Sequence, residues 1–222
     1  MEVGPRSWIG RASRVLGVAL AASWTMALSP VGARAQLAWD SPLLVHPHAP
    51  HGWSLLLADP YPGRDVAVMA SWRTAAMPVG FGVRLGLGEG VDGDLALFGG
   101  ADASGELIRR SADIPFDVVW VVGGGASLSD DVLVSLPAGL VAGWSLDAGE
   151  VVFQPYVGPR VVLDAWIGGR EPGEGDDLQL EATVDLGFDL RLAGGWTVRF
   201  GATIGDREAL AVGLALPATG RR

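Results

Sequence analysis

The amino-acid sequence predicts an all-β protein, an antiparallel up-and-down β-barrel of about 8–10 strands preceded by a cleavable signal peptide. The clearest signal is Leu178–Leu192, where apolar and polar residues alternate for fifteen positions, the period of a strand with one apolar and one polar face. The 33 glycines favour turns and close strand packing over helices. Short turns separate successive candidate strands, which is typical of antiparallel neighbours in a sheet that closes.

The N-terminal residues 1–35 have the pattern of a signal peptide. Three arginines precede an apolar stretch, residues 15–28, that is too short for a comfortable transmembrane helix (Arg6, Arg11, Arg14). Ala33-Arg34-Ala35 then fits the small-x-small cleavage rule, which predicts export and a mature N-terminus at Gln36. An uncleaved N-terminal membrane anchor is the alternative.

Residues 36–52 are predicted to form an extended arm that is rich in proline and histidine. The arm holds every histidine of the chain, His46, His48 and His51, and three imidazoles at this spacing could bind a divalent metal. Pro47 and Pro50 stiffen the segment and the chain has no cysteine, so a solvated arm without metal is the simpler interpretation.

Ten candidate strands follow the arm, and residues 217–222 form a polar C-terminal tail. The third strand alternates apolar residues with glycine, and tight turns flank several others. Two strands, around Trp120 and Leu140, are apolar on both faces, which fits either a partly apolar barrel interior or a soluble two-layer β-structure. The strands are 53–59, 65–74, 78–88, 94–103, 114–128, 132–146, 150–166, 178–192, 196–205 and 208–216.

Three features favour a membrane barrel, with its apolar face towards lipid, over a soluble one. The strands are long for a soluble sheet, since a tilted membrane strand needs about nine to eleven residues. The non-apolar positions are rich in glycine, which suits the inside of a narrow barrel. Tryptophans stand near the predicted strand ends, as interface aromatics do: Trp53, Trp72, Trp144, Trp166 and Trp196.

Charged residues on the polar face are predicted to point into the barrel. The set is Arg84, Glu181, Asp185, Asp189, Arg191 and Arg199, with Asp117, Asp164 and Arg160 as less securely placed members. Charges inside a narrow barrel must pair or line water, so they form either an ion-paired plug or a narrow polar passage. In particular, Arg191 and Arg199 are expected to neutralise Asp185, Asp189 or Glu181.

Other classes of function find little support. The formal net charge of −9 repels nucleic acid. No candidate strand carries a histidine, and no catalytic constellation appears, so we expect neither an enzyme nor a cofactor. The acidic, glycine-rich segment 168–177 could hold Ca²⁺ weakly, but a mobile solvent loop is the simpler interpretation.

The export signal, the up-and-down strands, the glycine-interleaved alternation and the run "PYVGPRVVL" (155–163) together resemble the small outer-membrane β-barrel proteins of Gram-negative-type bacteria. This resemblance covers most of the mature chain. It implies an outer-membrane location, outer-membrane lipid and small solutes as partners, and a structural or narrow-pore role. The alternative is a soluble periplasmic or secreted β-barrel that binds an apolar ligand in its interior.

Overall fold

The computed structural model describes residues 38–59, 66–89, 95–129, 132–167 and 178–217. The predicted signal peptide, the acidic segment 168–177 and most of the C-terminal tail lie outside these residues. The described residues form eleven strands, of which ten are long. They are β1 Gly52–Asp59, β2 Ala67–Arg73, β3 Val79–Glu89, β4 Leu95–Ile108, β5 Asp117–Leu128, β6 Val132–Gly143, β7 Leu146–Asp147, β8 Val151–Ile167, β9 Leu178–Leu192, β10 Thr197–Gly205 and β11 Ala209–Ala215.

The ten long strands form a closed antiparallel barrel, which confirms the predicted fold class. Each long strand pairs with the next along the chain, β6 pairs directly with β8, and the last strand β11 pairs with β1. The two-residue strand β7 only extends the edge of β8. Closure leaves no long strand with an unpaired edge, because both neighbours of every long strand are supplied by the barrel itself. No helix that could span a membrane occurs in the part of the chain that the structure describes.

The barrel has two ends, which we call the near rim and the far rim. The near rim is where β1 begins and β11 ends, and it carries the connections 74–78, 109–116, 144–150 and 193–196. The far rim is the opposite end, where β1 ends and where residues 206–208 join β10 to β11.

The polar face of the strands points into the barrel and the apolar face points out. In β3 the exposed positions are Val79, Phe81, Val83, Leu85 and Leu87, and the buried positions between them are four glycines and Arg84. The strand β9 follows the same rule, since Thr183, Asp185 and Asp189 are buried whereas Leu180 and Leu186 are exposed. On these two strands the inward face is therefore polar or glycine-rich, and the outward face is apolar.

The N-terminal arm, residues 38–51, fills the barrel, so the expectation of a solvated arm is wrong. Trp39, Asp40, Val45 and His46 are each at most 1% exposed. Asp40 contacts Arg207 near the far rim, whereas His48 contacts Asp117 where β5 begins at the near rim. The arm thus runs along the barrel interior and leaves it at the near rim to become β1. Short-range sequence patterns favour a solvated arm because its charged partners lie far away in the chain, as Asp189 does from His46.

An apolar patch of the interior explains the two strands that are apolar on both faces. Val119 and Val121 of β5 and Val141 of β6 point inward and pack against Leu43 and Val45 of the arm. The apolar inner face of these strands therefore meets the apolar part of the arm. The partly apolar interior, one of the two predicted explanations, is the one that the structure adopts.

Candidate functional site

The contact between the arm and the barrel wall is the candidate site, and its far-rim half is a cluster of ion pairs. Asp40 of the arm is fully buried and accepts hydrogen bonds from Arg160 and, at 2.6 Å, from Arg207. Arg160 Nε also donates to Asp185 Oδ2 at 2.7 Å. Arg207 in turn contacts Asp164 and Glu181, the remaining members of this far-rim cluster. Two arginines thus hold one arm carboxylate among three wall carboxylates.

The middle of the arm is held through its backbone. Arg84 donates to the carbonyl oxygens of Pro42, at 3.2 Å, and Leu43, at 2.5 Å. Arg199 Nη2 donates to the carbonyl of Leu44 at 2.7 Å. Leu44 has a φ of 54°, a left-handed conformation that is uncommon for residues other than glycine. The guanidinium groups therefore satisfy three carbonyls that have no strand partner.

His46 of the arm is held as a neutral imidazole. Its Nδ1 accepts a hydrogen bond from the backbone N–H of His48 at 3.3 Å, so the proton of the neutral ring lies on Nε2. His46 Nε2 lies 2.8 Å from Asp189 Oδ2, and it donates there. Burial lowers the pKa of His46, against the opposing effect of the Asp189 charge. The ring also stacks on Tyr156 with 4.7 Å between centroids.

A further group of charges surrounds a small cavity that Leu44 of the arm also lines. Arg73 Nη1 donates to Asp102 Oδ1 at 3.1 Å, and Arg84 Nη2 lies 3.7 Å from Asp102 Oδ2. Arg199 completes the cavity wall, and its Nε lies 3.2 Å from both carboxylate oxygens of Asp189. The cavity has a volume of about 10 Å³.

Glycines in the wall make room for the arm's tryptophan. A Cβ atom at Gly123 would lie 2.9 Å from the Trp39 ring, and a Cβ atom at Gly125 would lie 2.7 Å from it. A Cβ atom at Gly100 would also collide with the Trp39 ring. Trp39 Nε1 donates to the carbonyl of Ser135 at 3.1 Å, so the indole is both packed and hydrogen-bonded. The glycine-rich inner face of β4 and β5 therefore leaves the space that the Trp39 side chain occupies.

Most of the charges predicted to face the interior lie in these clusters. Arg84, Asp185, Asp189 and Arg199 are buried, and Glu181 is half-buried. The less securely placed Asp117, Asp164 and Arg160 are also buried. The structure pairs Arg199 with Asp189, but it pairs Asp185 with Arg160 and Glu181 with Arg207.

Arg191 departs from the prediction because its side chain is exposed. It occupies an inward register position, but it is the last residue but one of β9 at the near rim, where the barrel opens to solvent. It therefore does not neutralise Asp185, Asp189 or Glu181.

The three histidines do not converge on one point. His46 contacts Asp189, the Nε2 atom of His48 lies 3.1 Å from Asp117 Oδ2, and His51 is exposed. No group of three metal-ligating side chains occurs among the described residues. The structure therefore uses two of the predicted ligands to fasten the arm.

The predicted interface tryptophans lie near the two rims. Trp53 and Trp72 face each other across β1 and β2 at the near rim, where Trp144 and Trp196 also lie. Trp166 is near the far-rim end of β8. All five are exposed or partly exposed, with Trp53 at 55%.

Sequence reasoning missed three charged wall residues of the site, and two of them left a signal. Arg73 is four residues from the inward-facing Met69 in β2, and Asp102 is four residues from the inward-facing Phe98 in β4, so each lies on the inward face of its strand. Counting alternate residues along β2 and β4 would have found both. Arg207 lies in a turn, where no alternation indicates which way a side chain points.

Taken together, these contacts define a closed up-and-down β-barrel whose polar interior is filled by its own N-terminal arm. Comparison of the chain with protein-family models, curated proteins and solved structures finds no match.

Proposed function

We propose that this chain is an exported outer-membrane β-barrel protein with a structural role, whose lumen is closed at rest by its N-terminal arm. The arm would have to leave before the barrel could act as a narrow pore. The observation that carries the proposal is the distribution of side chains, with charges inside the barrel and a continuous apolar surface outside.

The apolar surface extends around the whole barrel. Among the described residues, 34 large apolar side chains are exposed, and every one of the ten long strands contributes to them. Soluble monomers rarely expose contiguous apolar patches larger than a few hundred Å². In a membrane barrel the same arrangement is stabilising, because the outward side chains meet lipid and the inward charges pair with one another.

Strand length and aromatic position support the same environment. Six of the long strands have eleven residues or more, and about nine to eleven tilted residues cross a bilayer. Tryptophans at the near rim would place their rings at the level of the lipid headgroups, with the indole N–H towards water.

The filled lumen supports a closed, structural barrel rather than an open channel. Ion pairs, hydrogen bonds and the packed Trp39 ring occupy the space through which a solute would pass. An apolar ligand would also have to displace the arm, because Leu43, Leu44 and Val45 of the arm pack in the apolar clusters of the interior. These features favour the membrane proposal over the soluble ligand-binding alternative.

A single cysteine at Leu85 tests the proposal in this cysteine-free chain. Leu85 lies in the middle of β3 and is 60% exposed. In a water-soluble barrel, Leu85→Cys would react rapidly with a water-soluble maleimide. In folded protein reconstituted into vesicles, we expect slow reaction, together with strong quenching of an attached fluorophore by spin-labelled lipid.

Arg109→Cys is the matched control, because Arg109 is 67% exposed in the near-rim connection between β4 and β5. It should react rapidly in vesicles and show little lipid quenching. Rapid maleimide reaction at Leu85 in the reconstituted barrel, without lipid quenching, would overturn the proposal. Extraction by carbonate of the protein from the membranes of exporting cells would do the same.

A further inference from the structure

The barrel wall around β6 contains all the prolines that lie inside the described strands. They are Pro137 in β6 and Pro155 and Pro159 in β8. Proline has no backbone N–H, so it removes a hydrogen bond from a ladder, and in sheets it is normally confined to edges and bulges. The strands β6 and β8 have no free edge of this kind, because both are paired within the closed barrel. The prolines therefore weaken one part of the wall.

The ladder between β6 and β8 loses two donors. The N–H of Trp144, next to the end of β6, donates to the carbonyl of Pro155 at 3.2 Å. The carbonyl oxygen of Pro159 would lie 2.6 Å from a Cβ atom on Gly139 of β6. Both carbonyls thus point towards β6, and in an antiparallel ladder the N–H and C=O of one residue face the same neighbour. The two missing N–H groups would therefore have donated on the β6 side.

The ladder between these strands is interrupted at Pro159. The register is the same on either side of the interruption, but four residues in between form no ladder pair. These four residues, which we call the seam, are Leu140 and Val141 of β6 and Gly158 and Pro159 of β8. A Cβ atom at Gly158 would lie 2.8 Å from Val141 Cγ2. On its inner side the seam therefore carries one side chain, that of Val141.

The other side of β6 is interrupted as well. No ladder pair joins Leu136 and Pro137 of β6 to Gly123 and Gly124 of β5. Pro137 Cγ would lie 3.3 Å from a Cβ atom on Gly123, so the proline ring faces this glycine across the interruption. The strand β6 is therefore weakly held by both of its neighbours.

The seam separates two apolar environments. On the outer side, Leu140 is 45% exposed and belongs to the apolar surface of the barrel. On the inner side, Val141 belongs to an apolar cluster in which aliphatic side chains of the arm are buried. The cluster consists of Leu43 and Val45 of the arm, Val119 and Val121 of β5, Val141 of β6 and Tyr156 of β8.

We propose that the seam is a lateral gate, through which one acyl chain of a membrane lipid enters and takes the place of Leu43 and Val45 in the apolar cluster. The inference rests on the proposed function, because the bilayer supplies the chain. An acyl chain matches the aliphatic side chains that it replaces and needs no hydrogen-bond partner, whereas a polar solute would lose its hydration there. Opening the seam breaks few hydrogen bonds, because the proline donors are already missing.

Photo-crosslinking in vesicles that contain a diazirine-labelled fatty acid tests the gate in folded, reconstituted protein. Leu43→Ala combined with Val45→Ala empties the cluster without changing a charge. We expect mass spectrometry to find labelled Val119, Val121 or Val141 in this variant, and several-fold less in the unaltered chain. Labelling confined to outward residues such as Leu85 in both proteins would overturn the gate. Absence of labelling at the outward residues would overturn the membrane proposal instead.

A disulfide across the seam distinguishes entry through the wall from entry through a rim. Ala138→Cys and Val161→Cys, added to the same variant, are cross-strand partners of β6 and β8, which is close enough for a disulfide. Oxidation should abolish the inner labelling, and reduction should restore it. The matched control is Val68→Cys with Leu87→Cys, which joins β2 to β3 and should have no effect. Inner labelling that survives the oxidised seam disulfide would overturn the gate.

Hydrogen exchange of the reconstituted protein gives a readout that needs neither a ligand nor an emptied cluster. The amides of β6 should exchange about tenfold faster or more than those of β10, whose ladders contain no proline. Pro159→Val supplies an N–H opposite Leu140 and should slow the exchange of β6. Leu163→Val, on the same outer face of β8, is the control and should leave it unchanged. Equal protection of β6 and β10 in the unaltered barrel would overturn the proposal.

Discussion

His46 and Asp189 are 143 positions apart, yet the imidazole Nε2 of His46 lies 2.8 Å from the Asp189 carboxylate inside the barrel. The same carboxylate receives Arg199 from the neighbouring strand. Asp189 is therefore the point at which the arm, β9 and β10 are joined. The arm can take this position only when the strands have closed around it.

Asp189→Asn should be strongly destabilising, because it leaves the buried Arg199 without its counter-charge. We expect the free energy of unfolding to fall by about 3–5 kcal/mol, measured by urea denaturation. Arg199→Met combined with Asp189→Asn should cost less than the sum of the single changes. Glu106→Gln, which breaks the exposed pair with Arg109, is the control and should have no measurable effect. Additive losses in the double-mutant cycle would contradict the proposed pairing.

Gly125→Ala and Gly124→Ala form a matched pair on one strand. A Cβ atom at Gly125 would collide with the Trp39 ring and with the backbone of β4, whereas a Cβ atom at Gly124 meets only the end of the Leu136 side chain, at 3.2 Å. Gly125→Ala should therefore destabilise the barrel by about 1–3 kcal/mol, and Gly124→Ala much less. Equal unfolding midpoints for the two variants would show that the Trp39 ring does not pack against Gly125.

The stability of the barrel should fall as the pH drops below about 6.5. Burial lowers the pKa of His46 from its ordinary value of 6.5, and the nearby Arg199 and Arg73 charges add to this effect. Below pH 6.5 the unfolded chain takes up a proton that the folded barrel does not, which favours unfolding by up to about 1.4 kcal/mol per pH unit. Urea denaturation at pH 7.5 and 5.5 measures the loss, and His46→Gln should reduce it. An unchanged pH dependence in that variant would exclude His46 as its source.

Loosening the arm should open the lumen. Trp39→Ala combined with Asp40→Asn removes the packed indole and the carboxylate that binds Arg160 and Arg207. In planar bilayers the unaltered barrel should show little ion conductance, and this variant should show frequent openings. Leu85→Ala, on the outer surface, is the control and should remain closed. An equally silent double variant that is correctly folded would contradict the role of the arm as a plug.

Leu186→Arg should destabilise the reconstituted barrel by about 2–4 kcal/mol, because it places a charge on the proposed lipid-facing surface near the bilayer midplane. Leu186 is 38% exposed and lies in the middle of β9. In a water-exposed sheet, arginine at such a position would cost little. Refolding yield and urea denaturation in vesicles measure the effect, and a neutral outcome would count against a lipid-facing β9.

Much of the barrel could be predicted from local alternation. The division of β3 and β9 into an apolar and a polar face follows from the period of two that each strand carries by itself, and the short turns predicted the antiparallel order. The period does not indicate which face points inward, and the structure places the buried Arg84 and Asp189 there. The inward positions of Arg73 and Asp102 also lay within reach of the same rule. Arg191 is an exception, because alternation along a strand does not indicate that an inward-facing residue lies at the open rim and is exposed.

Parity also does not indicate how much space an inward residue has. Gly187 faces the interior as its strand position predicts, but a Cβ atom there would collide with the Phe200 carbonyl and the Tyr156 hydroxyl group. A small polar residue at Gly187 is therefore excluded by packing against neighbouring strands. Those neighbours are known only once the register of β8, β9 and β10 is known.

By itself, the sequence predicted an all-β barrel of about 8–10 strands, most of them with one apolar and one polar face, because successive side chains in a strand point to opposite faces. The tertiary structure decided that residues 38–51 lie inside the barrel, and which arginine pairs with which carboxylate. The ion pairs between the arm and the wall join residues more than a hundred positions apart, such as Asp40 and Arg160, whereas Arg199 and Asp189 are ten positions apart on neighbouring strands. The contacts of the arm form only when closure of the barrel brings distant strands around the same enclosed volume. No local pattern in the sequence indicates which distant residues will meet there.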